Sequence, residues 1–213
     1  MSGSTPAPRG PYAKTRGRVE AVRRTAFELV VESGHRSVTI AEVARRADLT
    51  EAQVLYHFPS REHLLVGALE HADRRSRERA AGPEGSPDVR AAVAATVEAE
   101  RSDPEVLRLF VAMSAAATDP THPAHEWGTR RTRAIVARYA ELLTDLQAQG
   151  WADPGVDPHR FARRFMALWD GLQTQWLLDP TFDLGREVAD GLAALAGNAD
   201  VHGRRGGGPA QDA

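Results

Sequence analysis

Two helix-start signals stand close together in residues 39–58, and they constrain the fold more than any other feature of the chain. Thr39 is followed three residues later by Glu42, and Thr50 is followed three residues later by Gln53. Threonine at a helix N-cap with Glu or Gln at the third helical position is the capping-box pattern, in which each residue's side chain accepts from the other's backbone N–H. The sequence therefore predicts two short capped helices joined by a tight turn.

The apolar residues of this segment give each predicted helix one side to bury. They are Ile40, Val43 and Ala44 in the first helix, Leu49 in the turn, and Val54, Leu55 and Phe58 in the second helix. This is the helix-turn-helix arrangement, whose second helix can enter a major groove of DNA. The alternative interpretation is an ordinary helical hairpin whose polar residues are only solvated.

The rest of the chain favours an all-α fold. Ala, Arg, Leu and Glu dominate, and these residues form helices well. We predict about nine helices in two domains: a three-helix helix-turn-helix domain over 13–80 and a larger helical bundle over 81–200. Residues 1–12 and 201–213 are rich in Gly, Pro and small residues, so both are predicted to be disordered tails.

Composition excludes several classes of protein. The chain of 213 residues has no cysteine, which excludes disulfides, thiolate metal sites and a cysteine nucleophile. No apolar run approaches the ~18 residues of a membrane span, and the N-terminus lacks the apolar core of a signal peptide. We therefore expect a cytoplasmic protein with no membrane partner.

Charge is distributed unevenly along the chain, which fits either a segment that faces a nucleic acid or a chance split of solvated charges. Lys and Arg outnumber Asp and Glu by four in residues 1–80, whereas Asp and Glu are in excess by six in the remainder.

The second predicted helix carries side chains that can contact bases. Gln53 can bond adenine, Glu51 can accept from cytosine N4 and Ala52 can touch a thymine methyl. The full set of candidate DNA contacts is Arg16, Arg18, Thr39, Thr50, Glu51, Ala52, Gln53, Tyr56, His57 and Arg61; those outside the base readers suit phosphates or, for Arg16 and Arg18, the minor groove.

Residues 18–65 resemble the N-terminal DNA-binding domain of the TetR family of transcriptional regulators. The residues that carry the resemblance are Ala26-Phe27, Gly34, Val38-Thr39, Val43-Ala44, Ala47, Leu49-Thr50, the run Leu55-Tyr56-His57-Phe58, Ser60-Arg61-Glu62 and Leu64-Leu65. Three positions depart from the family pattern: Asp48 replaces the usual Gly of the turn, Leu55 a frequent aromatic residue, and Arg61 a Lys.

The resemblance implies an all-helical C-terminal domain that forms a homodimer and binds an effector. Two apolar stripes on the last two long helices are the candidate dimer interface: Phe161, Phe165, Leu168, Leu172 and Trp176 on one, and Val188, Leu192 and Leu195 on the other. The alternative is that both stripes pack within the monomer.

Candidate ligand-binding residues are those apolar and aromatic residues that could line a cavity with a few polar groups. They are Phe110, Met113, Trp127, Met166, Trp169 and Gln173, with Trp169 and Gln173 one helical turn apart. The alternative is that these residues are simply core. A helix over 61–79 that packs on one over 104–118 would transmit the effect of the ligand to the DNA-binding domain.

The sequence thus indicates a homodimeric transcriptional repressor that a small hydrophobic effector releases from a palindromic operator. No metal and no cofactor is expected, because His122 and His125 form only a surface pair and Thr129 stands where an HExxH motif needs its second histidine. Activation instead of repression stays open, as do two rival functions: a helical protein-interaction module without DNA binding, and an enzyme without a local sequence signature.

Overall fold

The structure, a computed structural model, describes residues 11–80 and 89–198, with side chains at 15–78 and 89–198. The described part contains nine α-helices and no strand, so the predicted all-α class is confirmed. The helices are α1 Pro11–Ser33, α2 Ile40–Arg46, α3 Glu51–His57, α4 Arg61–Ala80, α5 Val89–Arg101, α6 Pro104–Ala116, α7 Ala124–Ala148, α8 Pro158–Leu178 and α9 Leu184–Leu195. No helix of the described ranges is long and apolar enough to cross a membrane.

The chain packs as two compact units, and each unit is built from two separate segments of the sequence. Unit 1 comprises the described residues of Met1–Gly82 together with Asp103–Thr129, and unit 2 comprises those of Pro83–Ser102 and Arg130–Ala213. We expected a single boundary between 80 and 81. Instead α6 belongs with α1 and α4, because Leu109 and Met113 are buried in the same core as those helices. The last of the three boundaries along the chain, between Thr129 and Arg130, falls inside α7.

In unit 1, the two short helices α2 and α3 pack against α1 and α4. Its core joins Val22, Phe27 and Val30 of α1 to Val43, Val54 and Phe58 of the short helices and to Leu64, Leu65 and Leu69 of α4. Gly67 allows α4 to approach closely, since a Cβ at this position would lie 2.9 Å from Cε1 of Phe58. Leu55 was expected in this core but is 41% exposed, because only Val54 and Phe58 face inward at this end of the motif.

Unit 2 is a helical bundle with an aromatic centre. Phe161 and Phe165 of α8 stack with ring centroids 5.8 Å apart, and Tyr139 of α7 meets Phe165 edge-on at 4.9 Å. Val188 and Leu192 of α9 are fully buried in the same core. Asp157 and Asp183 cap α8 and α9, each accepting from a backbone N–H three residues on.

One predicted boundary needs correction. α1 begins at Pro11, so residues 11 and 12 are helical and not part of the predicted tail over 1–12; proline suits the first helical position because its missing N–H would have no partner there. Gly34, with φ 76°, follows the end of α1, and Asp48 adopts the left-handed φ of 54° that the turn requires. The predicted tails over 1–10 and 201–213 lie outside the described residues.

Candidate nucleic-acid interface and ligand site

The predicted pair of capped helices is present, with one complete capping box. Thr50 Oγ1 accepts from the backbone N–H of Gln53 at 3.2 Å, and Gln53 Oε1 accepts from the backbone N–H of Thr50 at 2.9 Å. Thr39 Oγ1 likewise accepts from the N–H of Glu42, at 3.2 Å. The side chain of Glu42 does not complete the predicted box, because it accepts hydrogen bonds from two arginines instead.

Glu42 ties the positive charges of α2 together. Hydrogen bonds from Arg45 and Arg46 lower the pKa of Glu42 to about 2. Arg46 also donates to Glu32 of α1 at 2.5 Å, which links the first helix of the motif to α1. These two arginines are therefore engaged in carboxylate pairs next to the motif.

The exposed surface of α3 carries most of the predicted base-contacting residues. Of the seven residues from Glu51 to His57, only Val54 is buried. Tyr56 is 82% exposed and its ring lies edge-on to that of His57, at 4.8 Å. The exposed predicted contacts elsewhere are Arg16, Arg18, Thr39 and Thr50, so the structure leaves all of these accessible to a partner.

Arg61 is placed differently from the other predicted contacts. Its Nε donates to the carbonyl of Val38 at 2.9 Å, and its Nη2 donates to the carbonyl of His35 at 2.5 Å. Both acceptors lie in the link between α1 and α2, and the side chain is half-buried. The guanidinium therefore fastens the start of α4 to this link.

A cavity of about 40 Å³ lies in unit 2 between α5, α7 and α8. Its lining residues are Glu100, Arg131, Ile135, Tyr139, Met166, Trp169, Asp170 and Gln173. Burial raises the pKa of Tyr139 to about 12. Burial also raises the pKa of Asp170, with the charge of Arg131 acting against it. The cavity thus combines two aromatic rings with charged groups that are partly removed from water.

Two buried polar atoms at this cavity have no hydrogen-bond partner among the described residues. Gln173 is 3% exposed, and its Nε2 donates to Glu100 at 2.9 Å while its Oε1 is unsatisfied. The indole Nε1 of Trp169 is also buried and unsatisfied. Leaving such groups unpaired costs free energy, about 1–3 kcal/mol each. A molecule in the cavity that offers both an acceptor and a donor would recover that energy.

The structure separates the six predicted ligand-binding residues into two groups. Met166, Trp169 and Gln173 line the cavity, whereas Phe110, Met113 and Trp127 pack in the core of unit 1. There Trp127 Nε1 donates to Asp73 at 3.2 Å. Sequence reasoning missed Arg131, Ile135 and Tyr139, although their spacing of four residues on α7 places them on one helix face.

The residues of the predicted dimer interface also fall into two groups, one buried and one partly exposed. Phe161, Phe165, Val188 and Leu192 are at most 1% exposed inside unit 2, so the monomer already uses them as core and they cannot form a surface that a partner covers. Leu168, Leu172, Trp176 and Leu195 keep partly exposed side chains. Each stripe therefore contributes its buried residues to the core of unit 2 and its partly exposed residues to the surface.

The predicted surface histidine pair is engaged in local backbone contacts. His122 Nδ1 accepts from the backbone N–H of Ala124 at 3.1 Å, and His125 Nδ1 donates to the carbonyl of Ala117 at 2.8 Å. Within the described ranges, no group of three or more His, Asp or Glu residues could hold a metal ion.

Two family profiles match this chain. The profile described as "Bacterial regulatory proteins, tetR family" matches residues 22–68, which contain most of α1, both short helices and the first turns of α4. The profile described as "BetI-type transcriptional repressor, C-terminal" matches residues 87–198. The second match alone covers more than half of the chain.

Individual proteins with known names or structures agree with these profiles. The HTH-type transcriptional regulator BetI of Paraburkholderia xenovorans is 29% identical over 172 residues, covering 77% of this chain and 80% of that protein. A Saccharomonospora viridis transcriptional regulator in complex with choline has a TM-score of 0.64 at 22% identity, covering 86% and 97% of the two chains. FadR of Thermus thermophilus, a repressor in complex with lauroyl-CoA, has a TM-score of 0.62 at 21% identity, covering 91% and 100%.

Proposed function

Because this chain belongs to the TetR family of bacterial regulatory proteins, we propose that it is a cytoplasmic homodimeric repressor that a small molecule releases from a palindromic operator. It is a DNA-binding transcriptional regulator of the ligand-responsive kind. Repression needs only that the protein occupy its operator. The finer points argued below are the mode of DNA binding, the effector site and the effector class.

The capped α2–α3 pair is the observation that carries DNA binding. The complete box at Thr50 fixes the start of α3, and Val54 anchors it to the core of unit 1. The remaining residues of α3 face outward, which is what a helix that enters a major groove requires. A homodimer presents two such helices, and these match two half-sites spaced about 34 Å apart on one face of the DNA.

The test is to select bound duplexes from a random DNA pool with the purified protein and no ligand. An enriched inverted repeat is expected. Placed between a promoter and a reporter gene, this sequence should lower expression when the protein is present. Recovery of no repeat by folded protein would favour the rival interaction module, and activation of the reporter would contradict the repressor assignment.

The cavity between α5, α7 and α8 is the proposed effector site. Its volume of about 40 Å³ is far below the roughly 300–1,000 Å³ of ordinary small-molecule sites. An effector must therefore widen it by moving the helices that line it. A ligand that binds only the widened form shifts the protein toward that form, which gives binding a means to change DNA affinity.

The chemistry of the lining favours a small organic cation as the effector. Tyr139 and Trp169 line the cavity, and aromatic rings attract cations to their faces. Burial disfavours the charged form of Asp170, and a cation placed beside this carboxylate would offset that cost. The choline bound by the Saccharomonospora viridis relative is a molecule of this class, whereas the acyl chain and phosphates of lauroyl-CoA suit this lining less well.

Release from the selected operator is measured with choline and, separately, with lauroyl-CoA. We expect choline to release the protein at lower concentration. Trp169→Phe keeps an aromatic ring but removes the N–H donor, so it should weaken the response to choline about tenfold while DNA binding without ligand stays unchanged. Trp151→Phe is the matched control, because Trp151 packs in unit 2 without lining the cavity. An equal response of both variants would contradict this effector site.

A further inference from the structure

We propose that Leu55, together with Ala52, reads thymine methyl groups in the major groove and so sets the base preference of this regulator. The inference rests on the proposed function, because it requires that α3 enter the groove. It adds which base is recognised and by which side chains.

The positions of the two residues on α3 place them side by side on its outward surface. Leu55 is 41% exposed and Ala52 is also exposed, whereas Val54 between them is fully buried. Residues three apart on a helix are neighbours, with Cβ atoms about 5–6 Å apart. Ala52 and Leu55 therefore form one continuous apolar strip, flanked by Glu51 and Tyr56.

The hydrogen-bonding side chains of α3 leave few other ways to read bases. The helix carries no Lys or Arg, so it lacks the residues that pair with guanine through two hydrogen bonds. Gln53 could pair with adenine in this way only by using its Oε1 and Nε2 together. Its Oε1 already accepts from the backbone N–H of Thr50 in the capping box, so pairing with adenine would have to break this hydrogen bond or use the second lone pair of the same oxygen.

Apolar contact is the remaining means of direct readout for the strip. Thymine is the only base that presents a methyl group in the major groove. Contact with Leu55 would remove both the methyl and the exposed leucine surface from water, which is favourable. An exposed leucine on the groove-facing surface of a DNA-binding helix is thus explained by this partner.

The test replaces each thymine of the selected half-site, one at a time, by deoxyuridine. Uracil lacks the methyl but keeps the O4 acceptor and the pairing edge, so only apolar contact is lost. For the natural protein we expect about a fourfold loss of affinity at one or two positions, since burial of one methyl-sized group corresponds to about that factor. Leu55→Ala should bind thymine and uracil duplexes equally at one of these positions.

Val31→Ala is the matched control, because Val31 on α1 is 38% exposed and loses a similar apolar side chain. It should preserve the full preference for thymine. Equal affinity of the natural protein for thymine and uracil at every position would overturn the inference while leaving sequence-specific binding intact. A methyl preference that persists unchanged in Leu55→Ala would overturn the assignment to this residue. Failure to select any duplex would instead overturn the proposed function itself.

Discussion

Arg61 fastens the start of α4 to the link that leads into the DNA-binding motif. Its guanidinium donates to the carbonyls of Val38 and His35, in the link that leads into α2. Hydrogen bonds from charged groups contribute about 1.5–3 kcal/mol. We expect Arg61→Ala to lower the free energy of unfolding by about 2 kcal/mol, and to weaken DNA binding evenly across sequences because α3 is held less firmly. Denaturant unfolding and DNA titration measure the two effects.

The control for this change is Arg24→Ala. Within the described part of the chain, the one ion pair of Arg24 is an exposed contact with Glu28, at 3.7 Å, and such pairs contribute about 0–1 kcal/mol. Its loss should leave the unfolding free energy nearly unchanged. If Arg61→Ala weakened DNA binding but left stability intact, the arginine would be a phosphate contact and its role in fastening α4 would be contradicted.

Two pairs of residues with the same spacing show which contacts of the site the sequence predicts and which it does not. Thr50 and Gln53 form the predicted capping box, because that pattern depends only on residues three apart. Glu42 has the same spacing from Thr39, yet its carboxylate pairs with Arg45 and Arg46. The choice between these partners depends on competing charges in the same helix. A local pattern does not resolve this competition.

At the scale of the helices, Gly67 decides how closely α4 packs against the end of the DNA-binding motif. A Cβ there would lie 2.9 Å from Cε1 of Phe58 and 3.2 Å from Cγ of Arg23. Alanine is the better helix former by about 1 kcal/mol, but overpacking a core costs about 1–3 kcal/mol. We expect Gly67→Ala to lower the melting temperature and to weaken DNA binding, since Phe58 must move.

Gly171 provides the comparison within another helix. A Cβ at Gly171 on α8 would meet nothing within 4 Å. Gly171→Ala should therefore raise stability by roughly 0.5–1 kcal/mol through helix propensity alone. Thermal unfolding of the two variants should give shifts of opposite sign. A gain of stability in both would mean that Phe58 adjusts freely and that the close approach of α4 is not needed.

The helices themselves could be predicted from the sequence, but their division between the two compact units could not. The start of α8 is an example, because a capping Asp157 followed by Pro158 is a local signal for the beginning of a helix. The membership of α6 in unit 1 depends on the burial of Leu109 and Met113 against α1 and α4. Contacts between residues far apart in sequence leave no signal in the periodicity of one helix. This is also why Phe110, Met113 and Trp127 could not be separated from the cavity-lining residues.

At the scale of the whole molecule, the proposed homodimer requires apolar residues on the surface of α8 and α9 that a partner protomer can cover. The residues that a partner can still cover are the partly exposed Leu168, Leu172, Trp176 and Leu195, since the other predicted residues are inside unit 2. A charge placed in a two-fold interface is buried without a partner on both protomers. Such burial costs about 3–5 kcal/mol, which corresponds to a dissociation constant at least about 100-fold higher.

We therefore expect Leu172→Glu to sediment as a monomer at concentrations where the natural protein is a dimer, and to lose most of its operator affinity. Leu142→Glu is the matched control, because Leu142 on α7 is also a half-buried leucine packed on the core of unit 2. Both changes should reduce stability to a similar degree, so only the oligomeric state separates them. A dimer that survives Leu172→Glu would place the interface elsewhere, whereas dissociation of both variants would show that the dimer depends on the stability of unit 2 rather than on this surface.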